Sequence, residues 1–176
     1  MAAATAYDKM PIRDIRDDAR RNAQAVLDEY WDDSYPVDPV KIARKMGVEV
    51  FTAELGDDVF GMMTGNPSQA SIYLDVDQPH VRMRFTCAHE LGHYVERSSR
   101  LAAEDDPQFA EIDRRSDEGR GRPLEIFANE FAASLLMPEQ QVKDLHRQGK
   151  SRYDMVTLFQ VSLAAVDWRL HHLNLK

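Results

Sequence analysis

The chain has 176 residues, 43% of them hydrophobic and 30% charged, and 30 acidic against 22 basic residues leave a formal charge of −8. This composition excludes collagen-like, low-complexity and fully disordered chains and fits one compact domain with a core of its own. The acidic balance opposes direct nucleic-acid binding through phosphates, the lone Cys87 excludes an intrachain disulfide framework, and no run approaches the roughly 18 apolar residues of a spanning helix.

The opening MAAATAYDKMPIRD has no apolar stretch before it meets charge at Asp8 and Lys9. It is not a secretory signal, so a cytoplasmic protein with no membrane partner is expected. From Asp14 to Trp31 an amphipathic helix is expected, with Ile15, Ala19, Ala23, Val26, Leu27 and Tyr30 on one face. SYPVDP breaks it. Asp38 followed by Pro39 marks a second helix start, and Gly47 its stop.

VEVFTAEL, DVFGMMTG and ASIYLDV are short β-prone runs separated by GDD and GNPSQ. They predict a small antiparallel sheet with a hairpin around Asn66 and Pro67. Past Pro79 the period turns helical, with Val81, Phe85, Ala88, Gly92 and Val95 forming a stripe to pack on the sheet. Residues 98–122 are polar and charged and read as a long loop that could cover a site. A helix from Pro123 to Leu136 follows, then shorter ones over about 138–148, 151–160 and 162–173, with Ser162 as an N-cap after a tight turn at Gln160 and Val161. The cations from Lys143 to Lys176 make this end mildly basic.

The central helix contains His89-Glu90-Leu91-Gly92-His93, an HExxH pattern. Residues four apart project from nearly the same face, so two imidazoles can converge on one metal ion. Glu90 is turned about 100° away. There it can reach a water in the metal's open position and take its proton, as a metal-assisted hydrolase requires.

A catalytic site of this kind needs a third protein ligand, and the helix 123–136 offers Glu125 and Glu130. They point about 140° apart, so one of them can face the metal. Leu124, Ala128, Phe131, Ala132 and Leu135 mark the packed side. Glu125 has the small Ala128 and the polar Asn129 one turn on, which suits close approach and a hydrogen bond to a ligating histidine. Glu130 falls nearer the far side and is expected in solvent. The pattern favours Glu125 and leaves Glu130 open.

RFTCAHELGHYV (84–95) and EIFANEFAASLLMP (125–138) together resemble the two signatures of the ImmA/IrrE family of metallopeptidases, the M78 type. PVDPVKIARKMGVEV (36–50) is similar to that family's first helix and strand, and VSLAAVDWRLHHLNL (161–175) resembles its helix-turn-helix-like end. The resemblance implies zinc on His89, His93 and Glu125, Glu90 as general base and Asn129 supporting a ligand. It implies an α+β, zincin-like peptidase domain over 1–137, with HExxH on the central helix, and a helical, helix-turn-helix-like subdomain over 138–176. The substrate it implies is a cognate helix-turn-helix repressor, whose cleavage relieves repression after a stress or mobile-element signal. A two-histidine, one-carboxylate set also accepts Mn2+ and other divalent ions.

Other residues carry less. Cys87 falls opposite His89 and reads as a buried thiol. His171 and His172 suit a helix C-terminus, and they, Tyr73 and Tyr94 are candidates to stabilise an oxyanion. Met62 and Met63 read as core or edge filling, and Arg82 and Arg84 as solvated charge, a loop clamp or a substrate contact. The competing functions are a non-catalytic, metal-containing regulator that binds a repressor or DNA through its C-terminal helices, and a toxin–antitoxin partner.

Overall fold

The structure is a computed structural model that describes residues 6–66, 69–100, 109–114 and 122–175. A 3-10 turn over Ala6–Lys9 leads into α1 (Ile12–Tyr30). Ile15, Ala19, Ala23, Val26 and Leu27 recur along it at helical intervals and are all buried. α2 (Pro39–Lys45) is started by Asp38, whose carboxylate accepts from the Val40 and Lys41 N–H groups at 3.0 and 3.1 Å. It stops at Gly47, whose φ of 83° favours glycine.

β1 (Glu49–Ala53), β2 (Val59–Asn66), β3 (Gln69–Asp75) and β4 (Phe109–Arg114) form one sheet in the order β1-β3-β2-β4. This corrects the expected antiparallel sheet. β2 and β3 do pair antiparallel, with Asn66 opposite Gln69, but β1 runs parallel to β3, from Glu49 beside Ser71 to Ala53 beside Asp75. Alternation records which side chains face the core and is the same for either strand direction. Here the link 54–58 carries the chain past β3 before β2 begins, so β1 lies beside β3 rather than β2. Pro67 lies outside the described residues.

The polar stretch 98–122 is not all loop. The central helix α3 (His80–Arg100) runs on to Arg100, and 109–114 form β4, antiparallel to β2 with Gly65 beside Phe109. FAEIDR is too short and too polar to signal a strand by itself; the ladder offered by β2 completes it. The rest of the expected covering loop, 101–108 and 115–121, lies outside the described residues. Buried Val50, Met63, Ile72 and Leu74 face α3, while Phe51, Tyr73 and Ile112 line the other face, Phe51 and Ile112 exposed and Tyr73 half-buried.

α4 (Pro123–Leu136), α5 (Glu139–Arg147), α6 (Arg152–Phe159) and α7 (Leu163–His172) complete the chain. Ser151 and Asp154 cap α6 reciprocally, and the Ser162 hydroxyl accepts from Ala165 N–H at 3.1 Å to start α7. Val142, Leu145, Met155, Phe159, Val161 and Val166 belong to the same buried cluster as α1 to α4.

Two buried arginines fasten these helices. Arg84 of α3 donates to the carbonyls of Val37 at 2.7 Å, Phe159 at 3.2 Å and Gln160 at 3.3 Å, so it is a clamp on the α2 entry and the α6 end. Burial pulls its guanidinium below the ordinary arginine range. Arg169 of α7 donates to the Met137 carbonyl, the Ser134 hydroxyl and Glu130 at 3.1, 3.0 and 3.3 Å. Glu130 is therefore not in solvent, as its place on the helix suggests. It is 1% exposed and also accepts from Arg20 at 2.7 Å, with Arg16 at 3.8 Å.

Candidate metal centre

The crossing of α3 and α4 depends on a missing side chain. A Cβ on Gly92 would lie 3.1 Å from both Ala128 Cα and Phe131 Cδ1, closer than packed atoms normally approach. With only hydrogen there, α4 settles onto α3, and its first turn delivers Glu125 to the face that carries His89 and His93.

The three side chains converge. His89 Nε2 and His93 Nε2 are 3.1 Å apart, His89 Nε2 lies 3.4 Å from Glu125 Oε2, and His93 Nε2 lies 3.2 Å from Glu125 Oε1. A tetrahedral ion with ligand bonds of about 2.0–2.1 Å holds neighbouring ligands about 3.3 Å apart, so this donor set fits a zinc-sized cation. Asn129, one turn after Glu125, presents Oδ1 to His89 Nδ1 at 3.1 Å. An amide oxygen only accepts, so Nδ1 carries the proton and Nε2 keeps its lone pair for a metal. Burial alone would raise the Glu125 carboxyl, yet its hydrogen bonds with His89 and His93 hold it well below the ordinary carboxylate range. It stays an anion throughout the neutral range.

Glu90 is 1% exposed and faces the sheet beside this group. Here β2 comes unusually close, because a Cβ built on Gly61 would lie 2.5 Å from Thr86 Cγ2 and 3.3 Å from Glu90 Oε1. Sequence reasoning missed Gly61, although a glycine inside a strand is the usual sign of such an approach. Gly61→Ala is expected to cost about 1–3 kcal/mol of stability by overpacking, read as a lower denaturant midpoint. It should also lower any activity that depends on the position of Glu90.

The remaining candidates are spread out. Glu130, the alternative ligand, is engaged by Arg16, Arg20 and Arg169, away from the histidines. Cys87 is fully buried, and burial pushes its thiol far above its ordinary range. Tyr73 stacks on Phe51 on the sheet face opposite α3, a correction to its candidacy for the oxyanion. Tyr94 is half-buried in α3. His172 stacks on Trp168 at 3.8 Å, its Nδ1 2.8 Å from the Trp168 carbonyl. Arg82 is exposed above the Phe60 ring at 4.9 Å, and Met63 is buried in the core. Among the described residues no helix is long and apolar enough to cross a membrane.

Residues 43–171 match the family model Peptidase M78, described as the IrrE N-terminal-like domain. Among solved structures, one described as a Mycobacterium tuberculosis transcriptional regulator matches with a TM-score of 0.59 and 17% identity, over 92% of this chain and 52% of that one. That likeness is one of fold, and the chain spans about half the length of that structure. No curated protein matches.

Proposed function

The chain belongs to the Peptidase M78 family of IrrE N-terminal-like domains, and from that premise we propose that it is a zinc-dependent endopeptidase that cleaves a helix-turn-helix transcriptional repressor, relieving repression in a stress or mobile-element response. The observation that carries the reading is the convergence of His89, His93 and Glu125 at 3.1–3.4 Å beside a buried Glu90. Mn2+ or another divalent ion suits the same donors.

In this reading residues 1–137 form the zincin-like catalytic part, and the helical 138–176 segment helps to shape the substrate's path. His89 and His93 present Nε2, and Asn129 fixes the tautomer of His89 that makes this possible. Glu125 adds the negative charge. When bound, the ion acidifies a water and polarises the scissile carbonyl. Glu90, turned about 100° from His89, takes the proton of the attacking water on a carboxylate oxygen and returns it to the leaving amine. Its low exposure keeps bulk water from competing for that proton.

A regulator that binds DNA through residues 143–176 finds less support. Lys143 pairs with Glu139, Arg147 with Asp144 and Arg152 with Asp167, and Arg169 is buried on Glu130. Four of the cations of this segment are paired with carboxylates, which leaves fewer to neutralise phosphates.

The test is cleavage of the helix-turn-helix protein encoded nearest to this chain. Protein loaded with one equivalent of zinc is expected to cut it, a chelator to stop the cutting and added zinc to restore it. A repressor that stays intact with the zinc-loaded protein overturns the reading.

A further inference from the structure

If the centre cuts peptide bonds, the surface leading away from it selects what is cut. A groove of about 920 Å³ opens beside the centre, between α3, α4 and α7. Asn129 lines it, and this is the residue that holds His89, so the groove abuts the centre. Phe60, Phe85, Ile126 and Trp168 give it apolar walls, and the Phe85 ring lies 6.4 Å from that of His89.

Its charge is one-sided. Among the described lining residues the charged ones are Arg16 and Arg82, and no carboxylate faces it. The Arg82 guanidinium sits 4.9 Å over the Phe60 ring and that of Arg16 6.0 Å from the Trp168 ring, so aromatic faces hold both cations against the walls. Arg16 is shared with Glu130 at 3.8 Å, whereas among the described residues Arg82 has no carboxylate partner. In a chain of formal charge −8, a groove whose fixed charges are both positive discriminates by sign.

We infer that this groove seats an extended segment of the protein substrate in which a large apolar side chain is flanked by acidic residues. The apolar side chain enters between Phe85 and Trp168, and a flanking carboxylate reaches Arg82. The inference rests on the peptidase reading for its purpose, while the binding itself can be measured apart from any cleavage.

The experiment uses two fluorescein-labelled peptides, two leucines flanked by glutamates and the same peptide with lysines instead, titrated against zinc-loaded Glu90→Gln protein by fluorescence anisotropy. The glutamate peptide is expected to bind about tenfold tighter. Arg82→Glu, an exposed position, should abolish that preference. Ala164→Glu, exposed on the α7 wall of the groove, should do the same without touching Arg82. Unchanged melting temperatures exclude misfolding as the cause. Absent binding of the glutamate peptide, equal binding of both, or a preference that survives both substitutions overturns the proposal. Selective binding with no cleavage of either peptide by the wild-type protein supports the groove and counts against the peptidase reading. Equally fast cleavage of both peptides does the reverse.

Discussion

Glu90→Gln is expected to lower peptide-bond cleavage by about 10²–10⁴-fold while the protein still holds one equivalent of zinc. The amide has the shape of the carboxylate but does not take a proton from water, so the step assigned to Glu90 is lost and little else changes. His89, His93 and Glu125 are expected to keep their 3.1–3.4 Å arrangement, since they are held to one another directly and His89 is also held by Asn129. The fold should not suffer. The amide matches the carboxylate in shape and volume, so the melting temperature is expected to stay near the wild-type value. Metal content by mass spectrometry, thermal melting and turnover of the proposed repressor substrate are measured on one preparation. Full activity in the variant would remove Glu90 from the chemistry, and loss of zinc along with activity would make it a structural residue.

The parts of this picture that were legible in the sequence are those written as spacing along a single element. The α1 stripe, the Asp38-Pro39 start of α2, the Ser162 cap of α7 and the one-turn interval between His89 and His93 each depend on neighbours within four residues. Small Ala128 and polar Asn129, one turn on, favour Glu125 as the partner for the histidines, and α4 meets α3 on that side.

What was not legible depends on partners distant in the chain. β4 is a strand because β2 offers it a ladder, and β1 runs parallel to β3 because of where the 54–58 link takes the chain. The sequence pattern points Glu130 to solvent because a charge off the apolar stripe normally belongs in water. Nothing local to α4 shows that Arg16 and Arg20, a turn apart beside the α1 stripe, and Arg169, more than thirty residues later, would enclose it. Gly61 and Gly92 had the faintest signal, since what they provide is the absence of a side chain where two elements meet.

The enclosed carboxylate leads to the largest expected effect on stability. Glu130→Ala leaves the Arg169 guanidinium, 1% exposed, with its backbone and serine acceptors but no anion. Removing one partner of a buried pair costs about 3–5 kcal/mol, because the remaining charge has lost its hydration and keeps only neutral acceptors. Burial already pulls Arg169 down to about 10, and Glu130 opposes that pull, so at neutral pH the group remains a cation that needs the carboxylate. Arg20 and Arg16 differ: their side chains are 26% and 33% exposed and can turn to water, so Arg20→Ala should cost much less. Replacing Glu130 and Arg169 together with methionine should cost far less than the two single losses added, since an apolar pair of similar volume leaves no stranded charge. Urea denaturation of Glu130→Met, Arg169→Met and the double variant measures this directly. Strict additivity would mean that the two residues act separately. Coupling would establish the pair as the fastening of α7 on α4, and with it the position of Trp168, the residue next to Arg169 on the wall of the groove beside the metal centre.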